Sequence, residues 1–225
     1  MDERKIYYSF HEIPGVYPYG HYPKKGIRFS EVEIKHIAIA IAVLTIAFAF
    51  ALTPRYGLFF PPLKSIMYAL PLSFIAIVTA FFCHEMAHKY MGQKYGYWSE
   101  FRMFPQGLLF ALFLGVFFGV VFAAPGAVHI WGAPTREESG RISVAGPATN
   151  IFITGLFLLL ASLPTSLASL FLIIAFINAF LAFFNLLPFG PLDGLKVFAW
   201  NKTVYGITFI ISLLFLALVC FSFSF

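Results

Sequence analysis

The sequence predicts an all-α polytopic membrane protein with five to six transmembrane helices and a re-entrant segment after the second apolar run. Three observations carry this: composition, the length of the apolar runs, and where the basic residues fall. Of 225 residues, 60% are apolar, 11% are charged and thirty are Phe, and the mean hydropathy is +0.84. Soluble chains are about a quarter charged, and a globule of this size with so few polar residues could not cover its own surface. Disorder, collagen-like repeats and a disulfide scaffold are excluded on the same ground. The two cysteines, Cys83 and Cys220, fall inside apolar runs and predict no disulfide.

The first element is an N-terminal segment, residues 1–35, polar and rich in Pro, Gly and Tyr, with five acidic residues and no apolar core of a signal peptide. His11, His21 and His36 read as solvated histidines of this region. Uncharged apolar runs follow at Ile37–Thr53, Ser65–Cys83, Met103–Val128, Ile142–Leu192 and Thr203–Phe225. A helix crosses the hydrocarbon with about 20 residues. Ile142–Leu192 is therefore two passes, turning at Ser162-Leu163-Pro164-Thr165-Ser166, which brings a simple count to six.

Loop charge decides between six crossings and five. With the N-terminus cytoplasmic and every run crossing, nine basic residues lie inside and six outside. If Met103–Val128 enters and leaves on one side, thirteen lie inside and only Arg55 and Lys64 remain outside. The second split obeys the positive-inside rule far better. Pro105, Gly107, Gly115, Gly119, Pro125 and Gly126 are spread along that run as helix breakers. The other reading is an ordinary glycine-containing transmembrane helix. The net charge of +5 is thus membrane-flanking charge, and no basic face for nucleic acid is present.

Chemistry enters at His84-Glu85-Met86-Ala87-His88. Histidines four apart share a helix face, so both imidazoles can reach one metal, and Glu85 is offset toward water at that metal. Burying two histidines and a glutamate in an apolar helix costs several kcal/mol unless something satisfies them, and a divalent cation would. A catalytic zinc site takes a third protein ligand and keeps one position open. The chain has two aspartates, and Asp2 is in the N-terminal segment. Asp193, closing the long uncharged stretch, is the candidate; its other reading is a capping aspartate before a helix. His84 and Asp193 can meet only if an even number of crossings separates them. The re-entrant topology leaves two.

His84-Glu85-x-x-His88, Gly146-Pro147-Ala148-Thr149-Asn150 and Asn185-x-x-Pro188-x-x-Pro191-Leu192-Asp193-Gly194, in this order, resemble the site-2 protease family of intramembrane zinc metalloproteases. The matching blocks span residues 84 to 194. The resemblance implies one Zn2+ held by His84, His88 and Asp193, with Glu85 as the base. It implies that Asn185 stands near the scissile carbonyl, and that β-structure after the first motif can pair with an unwound substrate strand. It also implies a transmembrane protease domain over residues 36–225 (core 66–200). The substrate would be a transmembrane helix in the lipid bilayer, with the site toward the cytoplasmic side of the cell membrane. The family pattern differs at Asp193-Gly194-Leu195, where many members have Asp-Gly-Gly, and Gly107–Ala124 is longer and more apolar than a short hairpin needs. No PDZ-like insertion fits.

Other residues read blandly. Asn150 and Asn178 are expected to bond between helices, with Asn150 the better candidate for a role at the site. His129 is expected near the mouth of a cleft, Cys83 in packing, and Glu137 and Glu138 in a solvated loop. The alternative function is a membrane metal-ion transporter, which also places His, Asp and Glu at mid-membrane on broken helices. Against it, the chain shows one compact polar set and no internal repeat.

Overall fold

The computed structural model describes residues 26–56, 59–121 and 125–223. His11 and His21, and most of the predicted N-terminal segment, lie outside the described residues. Among the described residues, five helices are long and apolar enough to span a bilayer. They are α1 (Glu31–Leu52), the continuous rod made of α2 (Leu63–Ile77) and α3 (Cys83–Lys94), α5 (Arg136–Ala161), α6 (Ala168–Asn185) and α8 (Lys202–Ser222). Most of their surface is apolar and unburied, as in Phe74, Phe152, Leu159 and Leu214. The protein is a multi-pass membrane protein.

α1 starts at Glu31, ahead of the apolar run, because Ser30 caps it by accepting from the N–H of Glu33 at 3.1 Å. His36 therefore stands on a helix, not in a tail; its Nδ1 accepts from the N–H of Met103 at 3.4 Å. The 22 residues of α1 reach about 33 Å, enough for the hydrocarbon.

The run Met103–Val128 does not cross. β1 (Trp98–Met103) and β2 (Gly126–Trp131) pair antiparallel from Trp98↔Trp131 to Met103↔Gly126, so the two ends of the run lie side by side. Between them α4 (Pro105–Phe118) has 14 residues, about 21 Å, short of the 30 Å core. Pro105 opens α4 and Gly119 closes it. α4 runs along α1: Leu108 and Ala111 join Ala40 and Leu44 in the core, and Gly115 lies so close to the Ala47 backbone that a Cβ would collide with it. At the end of α4, Arg55 donates to the carbonyls of Val116 at 3.0 Å and Gly115 at 3.3 Å. The Gly115 carbonyl also accepts from the N–H of Gly119 at 3.1 Å; at Val116, Arg55 reaches a last-turn carbonyl that lipid could not satisfy.

α5 begins at a capping box in which the side chains of Thr135 and Glu138 bond each other's backbone N–H. Glu138 also accepts from the Tyr97 hydroxyl at 2.8 Å. It is thus a helix-start anchor rather than the solvated loop residue its sequence suggests; Glu137 remains exposed and pairs with Arg141. α5 and α6 form the expected pair of passes joined near Ser162–Ser166. The chain then turns into the short α7 (Asp193–Trp200), which packs on α5, before α8.

Candidate metal centre

Between α2 and α3 the helix widens by one π-turn over Val78–Phe82, and the N–H of Cys83 bonds back to Val78. Such turns release carbonyls from the α-ladder and concentrate at functional sites. Here the carbonyl of Ala80 accepts from Nδ2 of Asn150 at 2.8 Å, and that same amide nitrogen donates to Oδ1 of Asn178 at 3.0 Å. Both asparagines are fully buried. With Nδ2 committed to two acceptors, the Asn150 side chain can turn only its oxygen to His84, whose Nδ1 lies 2.5 Å away. The proton of His84 is therefore on Nδ1. Nδ1 of His88 faces the carbonyl of Ile142 at 2.8 Å and must donate as well. Each imidazole consequently presents a lone pair at Nε2.

Those two Nε2 atoms lie 3.0 Å apart. Oδ2 of Asp193 is 3.3 Å from the first and 3.1 Å from the second. Asp193 is the first residue of α7, whose N-cap is Leu192; its carboxylate is turned to the histidines. The two passes of α5 and α6 bring it back, as the crossing parity requires. Three lone-pair donors converging within 4.8 Å form a group that could hold a metal ion. The donor chemistry fits: nitrogen and oxygen ligands with Nδ1 protons fixed outward accommodate a divalent cation at their common centre. Among the described residues Cys83 is not part of this group.

Glu85 is not in the ligand group. Its Oε2 accepts from the N–H of Val128 on β2 at 2.9 Å, and its side chain borders a cavity of about 740 Å³. Phe81, Leu181 and Phe184 give that cavity apolar walls, and Asn185 and His129 also face it. Among the described residues Asn185 makes no hydrogen bond to the three donors; its Nδ2 donates to the carbonyl of Leu181 at 3.0 Å.

The comparisons with known proteins agree with this chemistry. The chain is 38% identical over 184 residues to a Methanocaldococcus jannaschii protein named "Putative zinc metalloprotease MJ0611", covering 80% of this chain and 90% of that one. The chain belongs to the site-2 protease-like family of zinc metalloproteases. It is also 30% identical over 151 residues to the Bacillus subtilis "Putative zinc metalloprotease YwhC", covering 57% of this chain and 68% of that one. Mycobacterium tuberculosis "Putative zinc metalloprotease Rip3" is 29% identical over 137 residues, 57% of this chain and 31% of that protein. No solved structure and no protein-family model matches.

For a member of this zinc metalloprotease family, the structure adds two residues whose importance sequence reasoning understated or missed. Asn150 was expected to bond between helices. It does so, and in addition it sets the tautomer of His84. Gly146 was only part of a motif. A Cβ at Gly146 would lie against Nε2 of both His84 and His88, where the metal would sit. Gly146→Ala is expected to cut cleavage on the order of 10²-fold, as for a misplacement of about 1 Å at a catalytic centre, and to lower zinc content in parallel. Metal analysis beside a cleavage assay checks both.

Proposed function

We propose that this protein is an intramembrane zinc endopeptidase that hydrolyses a peptide bond within or near a transmembrane helix of a membrane-protein substrate. The observation that carries it is the convergence of His84, His88 and Asp193 beside Glu85, with both histidines and Glu85 on the rod Leu63–Lys94, which is long and apolar enough to lie in the bilayer, and Asp193 brought to them by the short α7. The three donors would hold the ion, and the zinc metalloprotease names of the relatives support zinc. A zinc ion held there would supply Lewis-acid polarisation and would lower the pKa of water to roughly 7.

The chain's own groups do the rest. Glu85 takes a proton from the attacking water and returns it to the departing amine. Asn185, on the cavity wall, positions the scissile carbonyl with the amide hydrogen it does not spend on Leu181. The apolar walls at Phe81, Leu181 and Phe184 suit a hydrophobic substrate segment. That segment must be unwound, because a helical peptide bond is shielded by its own hydrogen bonds. Pro188, Gly190 and Pro191 keep the chain before Asp193 from continuing α6, and Gly194 lets α7 pack against the backbone of Leu186, where a Cβ would collide. The distribution of basic residues supports a cytoplasmic N-terminus, with the site toward the cytoplasmic side. Residues 36–225 act as the protease domain.

The test is reconstitution in lipid vesicles with a single-span substrate and mass-spectrometric mapping of the products. Cleavage inside the apolar stretch is expected, lost on chelation and restored by zinc. Cleavage confined to a soluble loop, or none with zinc restored, overturns the proposal. Zinc flux across the same vesicles without cleavage would favour the transporter.

A further inference from the structure

Lys89 follows the second histidine of the motif and reads in the sequence as a basic residue at the cytoplasmic end of its helix. It is instead completely buried, as is Glu33 on α1. Nζ of Lys89 donates to Oε2 of Glu33 at 2.8 Å and to the carbonyl of Ser99 at 2.7 Å. The other oxygen of Glu33 accepts from the N–H of Phe101 at 2.9 Å. Gln93, one helical turn further on, adds a bond to the Ser99 carbonyl at 3.2 Å. The outer edge of β1 thus has its backbone groups taken by side chains, as a neighbouring strand would take them.

The opposite edge of the same two-stranded sheet faces the catalytic motif. Phe101 and Val128 stand opposite each other in the register, and each turns its N–H outward. That of Phe101 goes to Glu33 and that of Val128 to Glu85. A continuous set of bonds therefore runs from α1 through Glu33, β1 and β2 to the carboxylate of Glu85, while Lys89 fixes the same sheet to the helix that carries Glu85. Moving β1 moves the donor that orients Glu85.

Stability alone gives little reason for this pair. A buried ion pair loses so much hydration that well-packed apolar replacements are often neutral or stabilising. What apolar side chains cannot do is accept from the N–H of Phe101 and donate to the carbonyl of Ser99. We infer that Glu33 and Lys89 are positioning residues for Glu85, acting through the sheet: they set its orientation and thereby the turnover rate, without contributing to the metal site. This rests on the peptidase reading above.

The test compares wild type with Glu33→Leu/Lys89→Met in the same vesicle assay, together with zinc content and melting temperature. Expected is a fall in kcat of about 10- to 100-fold, with KM changed by less than about threefold and zinc content as in wild type. A charge-swapped pair, Glu33→Lys/Lys89→Glu, is expected to remain slow, since the ammonium would face an N–H and the carboxylate a carbonyl. Unchanged kcat in the apolar pair, loss of its zinc, or rescue by the swap overturns the inference. Should the variants fail to fold, amide exchange on the wild-type protein decides. The N–H of Phe101 must exchange as slowly as those that β1 gives to β2; fast exchange overturns the inference. Absence of cleavage by zinc-loaded wild type would instead refute the peptidase reading, and the exchange result would still report on the positioning bonds.

Discussion

Glu85→Gln is expected to leave the protein folded and zinc-loaded while cleavage of a transmembrane substrate falls between about 10²- and 10⁴-fold, the usual range for loss of a general base. A fall of 10³-fold corresponds to about 4 kcal/mol of transition-state stabilisation. Glutamine matches the shape of glutamate and keeps an oxygen to accept from the N–H of Val128, so β2 holds its place. The residue is not among the three converging donors, so metal content should not change. What disappears is the ability to take up a proton. The measurement is initial rate and zinc stoichiometry on the same preparation. Retained cleavage would remove Glu85 from the chemistry, and retained zinc flux with no cleavage in either form would point to transport.

Asp193→Ala is expected to abolish both metal retention and cleavage. It removes one of three donors and leaves two imidazole nitrogens 3.0 Å apart with no anionic partner. The fold should survive, because the N-cap of α7 is Leu192 and not Asp193, so the replacement leaves that helix start in place. Metal-free wild type and the variant should therefore melt at similar temperatures. Zinc should raise only the wild-type value, by the linkage that any native-state ligand imposes. Zinc content equal to wild type in the variant would place Asp193 outside the ligand set.

Much of the site was legible in the residues. The spacing of His84 and His88 is a local helical fact, and Asp193 emerged because so few acids stand in the apolar region. The re-entrant run was legible from charge, since thirteen basic residues on one side against two leave little room for a sixth crossing. Its internal form was not. An apolar stretch carrying Gly and Pro is compatible with hairpin or helix, and the choice of a short helix between two strands depends on packing against α1 and on Arg55 reaching the carbonyls of Gly115 and Val116. Lys89 enters the sequence reading only within the count of basic residues on one side, because its partner, Glu33, lies 56 positions away, beyond the range of any spacing rule.

Chain order and composition by themselves determined the membrane as solvent, a count of five to six passes, and the residue types that converge. These follow from hydrophobic length and charge, which act on each segment almost independently. Only the tertiary structure decided which nitrogen of each histidine faces inward, why Gly146 must lack a side chain, and how a buried ion pair reaches Glu85 through two strands. Those are matters of hydrogen-bond direction and of contact at a few ångströms. They exist only once helices distant in the chain have packed against one another.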